Sequence, residues 1–496
     1  MRVFHLLCVL AFLSAPVHAQ SPDRRGPSNP PPAASSTRAL APDAVTGHAL
    51  DLPGRTLRFT AKAGFVRLQA GDGAPDADIN MTAYLLDGAE AASRPVTFVL
   101  NGGPGMASAW LQMGAVGPWR MDMAALGSSA TPAIRPNNET WLDFSDLVFV
   151  DPVGTGYSAF VSGGDDARKR LWSVGGDIDG LAQAMRSWLD KEGRIASPKF
   201  LLGESYGGFR APLLARRLAE HEGVGLRGLV MVSPVLDFGN RSGAMDVLTH
   251  AVRLPSMAAI ARAGRSEPAG RADLGDAEAY ASGPFLADAL RGAADAAALD
   301  RVVERVSALT GLDPAIVRRR RGLVGFQLYA REAAAGRVLS VYDGSVSLPD
   351  PFPEAPTRGI EDPMVDGLRA PVTAAVLQVY AMLKWRPEGQ TYHLASDEAA
   401  RRWDWGSGAT RPEALTALRQ ALALDPNLHA IVAHGVFDLV TPYYANRLLL
   451  NQIPPASGGD RVRFLTFPGG HMFYSRDDAR RDFRAEAARL IGEGEP

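Results

Sequence analysis

Hydrophobic and polar positions divide the chain into two regimes. Thr56–Thr60, Phe65–Gln69 and Asn80–Leu86 are short runs with β character, the last alternating as INMTAYLL. A period of two marks a half-buried strand, so these runs predict an antiparallel meander at the start of the fold. Further on the runs become almost wholly apolar: Val96–Leu100, Asp146–Val150, Lys199–Leu202, Gly228–Val232, His429–Ala433 and Val462–Phe467. A strand covered on both faces has no polar side to show, and such runs predict strands of a buried, parallel sheet. Several lead through Gly-rich loops into helical patterns, as at Asp177–Lys191 and Arg210–His221. The alternation predicts an α/β fold with a mostly parallel central sheet flanked by helices.

Between Phe238 and about Trp385 the strand signals fade and alanine, arginine and leucine dominate, as in AEAYASGPFLADALRGAADAAALDRVVERVSALTG. The expected organisation is therefore a core in two parts, 46–238 and 386–496, interrupted by a largely helical cap at 239–385. Inside the cap, Asp313-Pro314 predicts a helix start. The run Arg318–Arg321 behind it predicts a solvated face rather than a site for an anionic partner. The chain shows no internal repeat and no Gly-rich phosphate loop.

The ends change the picture. Residues 1–19 carry Arg2, an apolar stretch from Val3 to Leu13 and Val17-His18-Ala19, the pattern of a cleaved signal peptide. The apolar stretch is shorter than the roughly 20 residues a spanning helix needs, so the mature chain is expected to be exported, periplasmic or secreted, without a membrane span. Residues 20–45 are rich in Pro, Ser and Ala and predict a flexible tether. The sole cysteine of the 496 residues, Cys8, lies in the leader. One cysteine rules out an intrachain disulfide and thiolate metal modules, and no cofactor or metal is expected. Reducing agent should then alter neither activity nor melting temperature, as parallel assays and melts with and without a thiol would show. With 52 basic and 54 acidic side chains, the net charge of −2 gives no global field for nucleic acid.

The strongest chemical signal is Gly203-Glu204-Ser205-Tyr206-Gly207-Gly208, placed between the run KFLL and a helical pattern. G-x-S-x-G in that context predicts a serine nucleophile raised on a sharp strand-to-helix turn. A hydroxyl needs a base, and nine histidines offer candidates. In the order nucleophile, acid, histidine, His5, His18 and His48 come too early, and His221 and His250 lie too close behind Ser205. His393 precedes the late strands, while His429 and His434 bracket a buried run as structural histidines. His471 remains, on the loop PGGHM after VRFLTF. For the acid, Asp438 in GVFDLVTP follows the strand before it; Asp425 and Asp460 are alternatives at less suitable places. Donors for a developing oxyanion are expected from the Tyr206 N–H and from Gly103 N–H in Asn101-Gly102-Gly103-Pro104-Gly105.

NGGPG, then Asp151-Pro152-Val153-Gly154-Thr155-Gly156-Tyr157-Ser158, GESYGG, HGVFDLVTP and GGHM run in this order from residue 101 to 472. Together they resemble the serine carboxypeptidase family of α/β hydrolases. The resemblance implies Ser205 as nucleophile, His471 as base and acid, Asp438 as its orienter, and Gly103 with Tyr206 as the oxyanion hole. It further implies that Asn101 and Glu204 bind the free C-terminal carboxylate of a peptide substrate, with an acyl-enzyme intermediate and an acidic pH preference. Where many relatives place a cysteine after NGGPG, this chain has Met106. Other readings on the same residues are a proline iminopeptidase, an esterase or acyltransferase, and an exported binding protein without catalysis. Preferred terminal residues and oligomeric state are not written in these motifs.

Overall fold

The apolar runs pair into one sheet. The computed structural model describes residues 39–123, 132–161, 164–239, 246–355, 362–407 and 411–493. Strands β1 (Ala44–Leu52), β2 (Arg55–Gln69), β3 (Pro75–Leu86), β4 (Val96–Leu100), β5 (Asp146–Val150), β6 (Lys199–Glu204), β7 (Gly228–Val232), β8 (His429–Gly435) and β9 (Val462–Phe467) lie in the order β1-β2-β3-β5-β4-β6-β7-β8-β9. The first three form the antiparallel meander and β3 meets β5 antiparallel. From β5 to β9 every pair is parallel, which with the flanking helices is the α/β-hydrolase fold.

Two details differ from the expectation. Thr56–Thr60 and Phe65–Gln69 belong to one strand, because Ala61 to Gly64 contain no proline and continue the ladder onto β3 from Tyr84 to Met81. Strand β1 takes up Ala44 and Val45, the last two residues of the expected tether, by pairing them with Ala63 and Lys62. The remainder of that tether up to residue 38, and the leader with Cys8, lie outside the described residues.

Side chains alternate across each strand, and the parallel strands feed two cores. Val99, Phe149, Leu202, Val232 and Ala433 face one side; Phe98, Val148, Leu201, Met231 and Val432 face the other. Helices α1 (Val174–Lys191) and α2 (Tyr206–His221) cover the second side. The first helix begins at Ser173, whose Oγ accepts the Gly176 N–H at 3.1 Å as an N-cap. The opposite side is closed by α3 (Pro363–Met382), while α4 (Leu415–Leu424) joins the α1 side and α5 (Asp477–Glu493) returns to the first.

Between β7 and α3 the chain builds a separate core. Leu254, Met257, Phe285, Val302, Val306 and Tyr329 pack together from helices between Val247 and Glu332. This core runs on into Val436, Phe437, Leu439 and Tyr443, in the stretch that follows β8. A short hairpin, Arg337–Leu339 with Ser347–Pro349, interrupts the helices. Helix α3 falls within the expected cap range but packs against the sheet: Leu368, Val372, Ala375, Val376 and Val379 recur at helical spacing in the sheet core. Its Tyr380 hydroxyl donates to Asn80 Oδ1 on β3 at 2.8 Å. Asp313 caps Pro314–Arg319 as its sequence predicts, and the exposed arginines behind it include Arg318, paired with Asp300 at 2.7 Å. No described helix is long and apolar enough to cross a membrane.

Candidate active site

Strand β6 ends in Gly203-Glu204 and turns at Ser205 directly into α2. Ser205 has φ 59° and ψ −121°, a backbone conformation that a residue with a Cβ adopts only under strain. What holds it there is local: its N–H donates to the Val232 carbonyl at the end of β7 at 2.8 Å. The turn is tight enough that a Cβ on residue 203 would lie 2.1 Å from the Gly207 carbonyl oxygen, so only glycine fits. The loop after β4 presses on the same turn. A Cβ at Gly102 would stand 2.5 Å from the Tyr206 nitrogen and 2.9 Å from the Ser205 Cβ. Among the described residues the N–H groups of Gly103 and Tyr206 have no acceptor. Both belong to segments touching Ser205, and the positive end of the α2 dipole lies at the same place.

The order β7-β8-β9 carries the loops after β8 and β9 to the strand ends where Ser205 stands. His471 Nδ1 lies 2.7 Å from Asp438 Oδ2, and both residues are buried. Asp438 also accepts the N–H groups of Val440 and Thr441 at 2.8 and 2.9 Å and the Thr441 hydroxyl at 2.5 Å. Burial works against its charge, yet His471 and these donors hold its carboxyl below the usual carboxylate range. For His471 burial opposes the imidazolium, and the neighbouring Asp438, joined by Glu204, outweighs it and raises the pKa. The backbone of His471 is tied to the cap segment: its N–H donates to the Tyr342 carbonyl at 2.6 Å, and the Tyr342 ring meets the imidazole edge-on at 5.2 Å. Gly470 N–H donates to buried Asp343 at 3.0 Å.

The other candidates are placed elsewhere. His434 is buried within β8, with Nε2 2.9 Å from the Asn446 amide, and burial pushes it down to about 4. His429 begins β8, and Asp425 and Asp460 precede β8 and β9, at the far end of these parallel strands.

A cavity joins Ser205 and His471 to Asn101, Gly103 and Glu204, with Met106, Trp110, Val365 and Met472 supplying apolar walls. Glu204 is buried beneath it, and burial pushes its carboxyl up to about 7, against the pull of His471, Tyr474 and Asn101. The Tyr474 hydroxyl donates to Glu204 Oε2. Asn101 Oδ1 accepts the Leu111 N–H at 3.0 Å, which leaves its amide N–H₂ for Glu204. Behind the loop, Arg210 binds Asp177 through Nε and Nη2 at 2.6 and 3.1 Å and donates Nη1 to the Asn101 carbonyl at 2.9 Å. Thr441, Tyr474, Tyr342 and the Asp177–Arg210 pair are partners that motif reading does not reach. The available signal was a charged residue on the apolar face of each of two helices, and a tyrosine three residues after His471. Among the described residues no group of three or more His, Cys, Asp or Glu could hold a metal ion.

The serine carboxypeptidase family model matches residues 53–258, a segment that contains NGGPG and GESYGG. The chain is similar to pheromone-processing carboxypeptidase KEX1, at 33% identity over 151 residues in Yarrowia lipolytica, 30% of this chain and 23% of that protein. The Colletotrichum graminicola protein of the same name is 28% identical over 185 residues, 36% of this chain and 28% of that one. The chain thus spans about a quarter of the length of these relatives. A solved proline iminopeptidase from Mycobacterium smegmatis is 15% identical with a TM-score of 0.39, over 91% of this chain and 99% of that one. Asp438 and His471 lie beyond the matched segment, and the sheet order brings their loops to it.

Proposed function

We propose that the protein is an exported serine carboxypeptidase that removes the last residue of peptides through an acyl-enzyme intermediate. The observation that carries this reading is the pairing of a buried carboxyl group, Glu204, with the Asn101 amide in the cavity that holds Ser205. An ionised glutamate repels a peptide's terminal carboxylate, whereas a protonated one shares its proton with it. In this reading His471, with Nδ1 on Asp438, takes the Ser205 Oγ proton through Nε2 as the hydroxyl attacks the last peptide carbonyl. Gly103 and Tyr206 N–H groups receive the oxyanion, and His471 returns the proton to the departing amine. Water then hydrolyses the acyl-serine by the same steps. Export rests on the leader pattern of residues 1–19.

The pH dependence follows with a definite sign. Below about 7 Glu204 carries its proton and a free carboxylate binds; above it two anions face each other. KM for a free-acid peptide should therefore rise with pH above neutrality, toward tenfold per unit. Against the effect of burial, the pKa of His471 is raised by Asp438 and Glu204, so on acidification its base function is lost at a higher pH than that of a free imidazole. The test is a blocked peptide and its C-terminally amidated twin, followed from pH 5 to 8. Release of the last residue from the acid alone, with KM climbing above neutrality, is the expected result. Equal cleavage of both, or a profile flat throughout, would contradict the assignment, and removal of residues from a free N-terminus would favour an iminopeptidase.

A further inference from the structure

Glu204 has a second partner that the family motifs do not contain. Tyr474 stands three residues after His471, in the one-turn helix Phe473–Ser475, and is fully buried. Its ring is wedged against Gly114, where a Cβ would come 2.9 Å from Tyr474 Cε2, and its carbonyl accepts Arg480 Nη1 at 2.9 Å. The phenol is thus fixed in place by packing and by backbone. Among the described residues its hydroxyl has one partner, Glu204 Oε2. If the phenol turned away, its O–H would be left buried without an acceptor.

We infer that Tyr474 is a positioning residue for the proton of Glu204: by donating to Oε2 it leaves Oε1 to carry the hydrogen that a substrate carboxylate accepts. This rests on the carboxypeptidase reading of the site. A carboxyl group can bear its proton on either oxygen, and only one choice presents an O–H to the ligand. The oxygen that accepts the phenol's hydrogen bond serves as the carbonyl, and the other serves as the hydroxyl. Burial and the neighbouring Glu204 keep the phenol protonated, so it remains a donor throughout the working range. The other groups facing Glu204 are Asn101 on the β4 loop, His471 on the same segment as Tyr474, and Asp438 after β8. Asn101 donates whichever oxygen carries the proton. His471 and Asp438 act on Glu204 through their charge, which does not choose between its two oxygens. Tyr474 is the group bonded to a stated oxygen.

The test is Tyr474→Phe in the full chain, assayed from pH 5 to 9 on a blocked free-acid peptide and on p-nitrophenyl butyrate, which has no carboxylate. KM for the peptide should rise at least about fivefold more than KM for the ester. Removing a donor that favours the charged carboxylate raises the pKa of Glu204, so the alkaline limb of the peptide's profile should also move to higher pH. Equal changes for both substrates, or an unmoved limb, would overturn the inference and mark Tyr474 as a packing residue. Glu204→Gln provides a second readout should the phenylalanine variant fold poorly. Its amide oxygen can accept from Tyr474 while its N–H₂ faces the ligand, so it should bind the free acid with KM independent of pH between 5 and 8. A KM that still climbs across that range would refute the proton assignment. If the wild-type protein itself cleaves free acid and amide alike, the reading of the site fails. If wild type discriminates and these variants respond equally on both substrates, only the role of Tyr474 fails.

Discussion

Replacing Ser205 with alanine is expected to lower kcat by a factor on the order of 10⁶ while leaving the fold intact. The size of the loss follows from the covalent step. In the mechanism proposed above, no acyl-enzyme forms without Oγ, and the remaining groups can only polarise the peptide carbonyl toward bulk water. Alanine can occupy the turn because the strained φ of 59° is enforced by the Val232 contact and the crowding at Gly203, neither of which involves the hydroxyl. Thermal stability should stay level, and Ser205→Gly should raise it, since glycine meets that φ without strain. Asp438→Asn should cost about 10⁴ in kcat for a different reason. Its carboxylate accepts from Val440, Thr441 and His471 together. An amide there must turn an N–H₂ toward one of these donors, and the imidazole is pushed into the wrong tautomer. Pre-steady-state kinetics and labelling by a fluorophosphonate check both. The alanine variant should take no label and the asparagine variant should label slowly. A kcat within 10²-fold of wild type for Ser205→Ala would remove Ser205 from the chemistry.

Much of this site is legible in the sequence, for reasons that its particular residues make plain. Val96–Leu100, Asp146–Val150 and Gly228–Val232 have the bounds their apolar runs predict, because a strand buried on both faces ends where polar or turn residues begin. The elbow is legible because its chemistry is local: the serine, its glycines and the following helix occupy a few consecutive positions. Partnerships that depend on sheet order are not. Tyr474 meets Glu204 across 270 positions, and nothing in the spacing of either residue announces the other. Tyr342 supports His471 from inside the cap, whose helices share a core with the Asp438 loop. The cap boundary is blurred for a related reason. Periodicity shows that α3 has an apolar face but not which core the face meets, and Leu368 to Val379 meet the sheet. The long β2 is the opposite case, since Ala61-Lys62-Ala63-Gly64 contains no β-branched or aromatic residue to register as strand although its backbone completes the ladder.

Arg210→Met is expected to lower stability by about 3–5 kcal/mol at neutral pH, and by less as the pH falls. Arg210 is fully buried and Asp177 nearly so, and the fork-to-carboxylate contact satisfies both. Methionine fills the stem's volume and touches the same Tyr206 ring, over which the guanidinium lies at 4.7 Å, but it strands an anion away from water. It also releases the Asn101 carbonyl, so the loop that carries the amide proposed to bind the substrate carboxylate loses an anchor. Free-acid KM should therefore worsen together with stability. The pH dependence identifies the penalised group. Burial already raises the pKa of Asp177 against the pull of Arg210, and removing the arginine raises it further. A carboxyl whose folded pKa lies above its unfolded value near 3.9 takes up a proton on folding at intermediate pH, and stability grows as pH falls toward that value. Urea unfolding of wild type and variant at pH 7.5 and pH 5 reads this as a narrowing gap between midpoints. A second change, Asp177→Leu in the methionine background, removes the stranded anion and should recover a large part of the loss at pH 7.5. A gap of equal size at both pH values, or a double variant no better than the single one, would mean that lost packing rather than an uncompensated carboxylate is what Arg210 prevents.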